Sequence, residues 1–60
     1  MNELQELICE LERAHRKCIN MIKKRDSSGL RQLHKKITTD LQVCYQAHIY
    51  WYGQDFTGEA

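Results

Sequence analysis

Two pairs of residues in this chain have the spacing of metal ligands on one face of a helix: His15-x-x-Cys18 and Cys44-x-x-x-His48. Thiolate and imidazole are the usual zinc donors, so four such groups brought together would close a tetrahedral site. Glu6 and Glu10 form a third same-face pair, one helical turn apart. They have no companion base or nucleophile, and near a helix start they read as solvated surface charge. The chain has no Gly-rich phosphate loop, nucleophile motif or paired-carboxylate arrangement, so neither an enzyme nor a cofactor is expected. Whether the cysteines and histidines can meet depends on the elements that carry them.

Those elements read as two helices. Asn2 is placed to cap the first, with Gln5 completing a capping-box pattern and Glu3 and Glu6 suiting the positive helix start. Leu4, Leu7, Leu11, Ala14, Cys18 and Met21 then recur at alternating spacings of three and four, the seam of a coiled coil. Asp26-Ser27-Ser28-Gly29 is the one internal turn signal. Beyond it Leu30, Leu33 or His34, Ile37, Leu41, Cys44, His48 and Trp51 repeat the pattern. The expected class is all-α: one antiparallel two-helix hairpin of residues 1-60, with helices over about 2-25 and 30-52, a turn at 26-29 and a mobile tail from 53 to 60. Gly53 should end the second helix, and with no proline in the chain nothing breaks either one.

A reversal between Ser27 and Ser28 makes facing residues carry numbers that sum to about 55, because antiparallel helices rise equally per residue. Leu4 then faces Trp51, Leu7 faces His48, Leu11 faces Cys44, Ala14 faces Leu41, Cys18 faces Ile37 and Met21 faces His34. In that register the two metal-like pairs lie on the order of 10 Å apart along the rod. Cys9 is level with Cys44 and His48 but points away from the seam. Small buried cysteines and seam histidines are the expectation, with no metal.

More apolar surface remains than one seam can bury. Ile8, Ile19 and Ile22 widen the first stripe, while Tyr45, Ile49 and Tyr52 flank the line that ends at Trp51. These seven residues are the expected contacts with a protein partner or a second copy, which would complete a four-helix bundle. At this length a lone hairpin is marginal without such help.

Charge is segregated along the rod. All nine lysines and arginines fall at Arg13, Arg16, Lys17, Lys23, Lys24, Arg25, Arg31, Lys35 and Lys36, while seven of the eight acids lie outside that stretch. The hairpin therefore has a cationic tip and an anionic base, hidden in a net charge of +1. The tip is a candidate patch for an anionic partner, an acidic protein or a nucleic-acid backbone. It holds no aromatic residue for stacking bases, which weighs against nucleic acid. No apolar run is long enough for a membrane span, and Met1-Asn2-Glu3 does not open a signal peptide. With an odd count of three cysteines, the expected setting is a reducing cytoplasm.

The stretch from Leu11 to Asp55 resembles the small helical-hairpin co-chaperones of type III secretion needle subunits. The likeness lies in the Leu11-Glu12 opening of a charged helix, the short Gly-containing turn and the closing His48-Ile49-Tyr50-Trp51-Tyr52-Gly53-Gln54-Asp55. The resemblance implies a bacterial hairpin that docks on a helical-repeat chaperone and helps keep a needle subunit monomeric in the cytoplasm before export. The three cysteines and the heavy basic tip depart from that pattern. The layout is also similar to that of the Rop family of plasmid RNA-binding proteins in length, turn position and polar tail, without a residue-by-residue match. That likeness implies a four-helix dimer binding RNA or DNA through its basic turn end.

Overall fold

The computed structural model describes residues 2–56. They form an antiparallel hairpin of two helices, α1 (Glu3–Lys24) and α2 (Ser28–Tyr52), in a rod 39 × 16 × 16 Å.

The start of α1 is built as its first residues dictate. The Asn2 side chain accepts the Gln5 backbone N–H at 2.8 Å, and Gln5 Oε1 takes the Asn2 N–H at 3.3 Å. Two donors that a helix start leaves without partners are thus satisfied reciprocally. Lys23 and Lys24 sit in the last turn, against the negative end of the helix dipole. Ser27 opens α2 by accepting the Leu30 N–H at 3.1 Å. The connection is therefore Arg25-Asp26-Ser27, and Ser28 and Gly29 belong to the first turn of α2. Gly53 closes α2 at φ 73°, a left-handed conformation that costs glycine little because it has no Cβ.

The core differs from the expected seam by one position on α1. Ile8 is fully buried at 0% exposure and packs with Ile37 and Leu41, while Leu4, Leu11, Ala14, Cys44, Tyr45 and Phe56 close around them. Leu7 and Met21, placed in the seam from sequence, are 45% and 53% exposed. The inward line of α1 runs Leu4, Ile8, Leu11, His15, Cys18, Ile22. It shares Leu4, Leu11 and Cys18 with the expected line and replaces the other three by their C-terminal neighbours. Both lines have the same spacing. The structure takes the one that buries β-branched Ile8 and lets His15 reach α2.

On α2, His34 faces inward and Leu33 is exposed, and Trp51 also leaves the seam. The reason lies in polar pairing: the His15 and His34 rings lie 4.3 Å apart, and His15 Nε2 is 3.1 Å from Thr38 Oγ1. Thr38 in turn donates to the His34 carbonyl at 2.9 Å. Near the turn, the Cys18 thiol donates to the Leu30 carbonyl at 3.4 Å.

The first residues of the expected tail make contacts with the helices. Phe56 folds back on the core, and its ring stacks on His48 at 5.3 Å. His48, 1% exposed, is held from both sides. Its Nδ1 lies 2.7 Å from the Gln54 carbonyl, which can only accept, so that nitrogen donates. Nε2 is then the acceptor for the Gln5 amide at 3.2 Å. Gln5 thus serves the α1 cap and ties it to the far end of α2. The remainder of the expected tail, residues 57–60, lies outside the described residues.

Candidate functional site: the aromatic end and the open face

The last turn of α2 leaves Ile49, Tyr50, Trp51 and Tyr52 all exposed, Tyr50 by 85% and Trp51 by 65%. Successive residues turn by about 100° around a helix, so four in a row encircle it. They form an apolar collar around the end of the rod. Tyr52 also leans on His48, ring centroids 4.7 Å apart, which fixes one side of the collar to the core. A shallow groove runs from Trp51 and Tyr52 across to Leu4 and Leu7 on α1, with Asn2 and Glu3 at its rim.

The expected partner contacts divide. Ile49, Trp51 and Tyr52 are exposed and share the collar with Tyr50, which sequence reasoning passed over because it lies off every seam. Ile19 and Ile22 are half-buried. Ile8 is withdrawn as a contact, since its side chain is spent on the core. Tyr45 is also removed from the free stripe: it packs against the core, and its hydroxyl donates to Glu12 Oε2 at 2.5 Å. Burial, reinforced by the Glu12 carboxylate, pushes the Tyr45 phenol up to about 12.

With Ile8 and Tyr45 turned to the core, a second open surface lies elsewhere on the rod. Leu7, Ala14 and Met21 follow one another at heptad spacing along α1, and Leu33 and Trp51 are exposed on α2. Toward the tip, Met21 and Leu30 line a groove with Lys24, Arg25 and Ser27.

The cationic tip is present as expected. Arg13, Arg16, Lys17, Lys23, Lys24, Arg25, Arg31, Lys35 and Lys36 are all exposed. Arg31 is engaged bidentately by Asp26. That hydrogen-bonded pairing lowers the Asp26 pKa and raises that of Arg31. It also sets a carboxylate beside an arginine that stands near the positive end of α2.

Among the described residues, no three His, Cys, Asp or Glu side chains converge as a metal site requires. Cys18 is buried, Cys9 and Cys44 are half-buried, and none is paired in a disulfide. Burial, and secondarily the Asp40 carboxylate, pushes the Cys44 thiol up. Among the described residues no helix is long and apolar enough to cross a membrane.

Comparison with protein-family models, with curated proteins and with solved structures returns no match.

Proposed function

We propose that the hairpin is a non-enzymatic protein-binding module that caps apolar surface on a cytoplasmic partner through its aromatic end. The observation that carries this reading is the collar of Ile49, Tyr50, Trp51 and Tyr52. A flat surface can cover only part of a helix's circumference. A concave groove can take the whole turn, and aromatic side chains are the residues that most often anchor an interface. A helical-repeat protein offers such a groove. The resemblance to secretion co-chaperones supports the same kind of partner, with the pair shielding a needle subunit.

Affinity capture from the native lysate tests this. Ile49→Asp should abolish retention of the partner, while Lys35→Glu with Lys36→Glu should weaken it modestly, as rim charges do. Equal retention by wild type and Ile49→Asp removes the proposal.

A second reading draws on the exposure of Lys23, Lys24, Arg25, Lys35 and Lys36 around the turn. It takes the tip as a seat for a nucleic-acid backbone, with binding that falls steeply as salt rises. A gel-shift titration against RNA and DNA that stays flat at low salt disposes of it.

A further inference from the structure

We propose that the open face carrying Leu7, Ala14 and Met21 is a self-association surface on which a second copy of this chain packs antiparallel, completing a four-helix bundle. The inference begins with which positions of α1 are apolar. A pair of helices needs two apolar positions per heptad, whereas a helix inside a bundle needs a third. α1 has three such lines, Leu4–Leu11–Cys18, Ile8–His15–Ile22 and Leu7–Ala14–Met21, with His15 their one polar member. The first two are inward or bordering, and the third is open at both ends, at Leu7 and Met21.

The occupant is identified by the line beside it. One step farther from the core, Glu3, Glu10, Lys17 and Lys24 follow at heptad spacing, and all four are exposed. Two negative charges precede two positive ones. Two stacked rods related by a two-fold axis across their length place α1 on the other copy's α1, running in opposite directions. With Ala14 on the axis, facing residues carry numbers that sum to about 28, since both helices rise equally per residue. Leu7 then lies over the second copy's Met21, Glu10 beside Lys17 and Glu3 beside Lys24. One register matches the exposed apolar pair Leu7 and Met21 and all four charges of the neighbouring line. The same operation sets each basic tip on the other copy's acidic base, and the small Ala14 lets the helices approach at the centre. In a parallel pair two-fold symmetry would instead superpose the two basic tips, which like-charge repulsion opposes.

On α2 the same operation sets Leu33 over Ala47 and Leu30 over Trp51, and brings two Asp40 carboxylates near the axis. That contact costs the pair affinity. The rod is 39 × 16 Å in side view, so contact along its whole side would cover at most on the order of 600 Å² per copy, about 1,200 Å² for the pair, at the lower edge of stable interfaces. By helical phase Ile49 and Tyr50 lie off this face while Trp51 lies on it, so pairing leaves the Ile49–Tyr50 side of the collar free and its test touches neither of those residues.

Sedimentation of the full chain provides the test, in wild type and in two charge-reversed variants. One carries Glu3→Lys with Glu10→Lys, the other Lys17→Glu with Lys24→Glu. Wild type should sediment as a concentration-dependent dimer. Each variant alone should associate roughly tenfold or more weakly, because four opposite-charge pairs become like-charge pairs. An equal mixture should regain the dimer as a heterodimer, and Asp40→Asn should tighten it. Circular dichroism checks that the helices survive. Lys17→Glu with Lys24→Glu lies far from the α1 cap and carries the test alone if the Glu3 change disturbs the helix start. A wild type that stays monomeric overturns the proposal, as does a dimer that either variant forms unchanged. A mixture that gains nothing over its parts also overturns it, since that is the result for parallel pairing or another face.

Discussion

The Tyr45 hydroxyl reaches across the hairpin to Glu12 Oε2 at 2.5 Å, joining the middle of α1 to the second half of α2. The other carboxylate oxygen, Oε1, is buried with no partner. The phenol supplies Glu12 with a hydrogen bond from the other helix. Replacing Tyr45 by Phe should cost about 1.5–3 kcal/mol, as expected for losing a hydrogen bond to a charged group, read from urea unfolding.

The same pair sets a pH dependence. Because the folded-state phenol is raised from 10.0 to about 12, folding favours its neutral form. The contribution is whole below pH 10.0 and is lost as pH climbs through the folded value. Ultraviolet titration should show a tyrosine step well above the ordinary phenol value, belonging to Tyr45. Tyr45→Phe should lack both that late step and its share of the alkaline loss of stability.

Ile8 and Leu7 are adjacent apolar residues with opposite roles. Ile8→Ala removes a fully buried side chain and should cost about 2–5 kcal/mol, enough to unfold a hairpin this small. Leu7→Ala at concentrations too low for self-association should shift the midpoint far less. Thermal melts of the two variants side by side decide the register, because an inward Leu7 reverses the order.

The thiols should also differ in reactivity. Cys18 is buried and donates to the Leu30 carbonyl, so it should be the slowest to alkylate near neutral pH. Cys44 should lag an ordinary exposed thiol, because burial and Asp40 keep it protonated. Timed alkylation followed by peptide mass spectrometry reads both rates, and Asp40→Asn should quicken Cys44.

Gly53→Ala should destabilise the C-terminal end of α2 by about 1 kcal/mol, since a Cβ is strained at this positive φ although nothing crowds the site. Hydrogen exchange should register the loss in the last turn of α2 and spare the first turns of α1.

Much of this architecture was legible in the residues. Asn2 with Gln5, the Asp26–Ser27 stop and Gly53 placed the helix ends within a residue or two, because capping chemistry is local. The choice between Leu7 and Ile8 was not legible, since both complete a spacing of three and four with Leu4 and Leu11. It is decided across the interface, where His15 finds His34 and Thr38. The Glu12–Tyr45 bond escaped for a related reason: a seam argument follows apolar residues and passes over a carboxylate that turns inward. Tyr50 was overlooked because it lies off both seams, and its exposure matters only beside that of its three neighbours.

Protection of Tyr50 against nitration tests the central claim most directly. It is the most exposed residue of the collar, and its ring lies outside the face used for self-pairing. In the free chain Tyr50 should nitrate readily, with Tyr45 slow. Once the captured partner is bound, Tyr50 should become protected while Tyr45 stays as it was. A Tyr50 that nitrates at the same rate free and bound, with binding intact, contradicts the account.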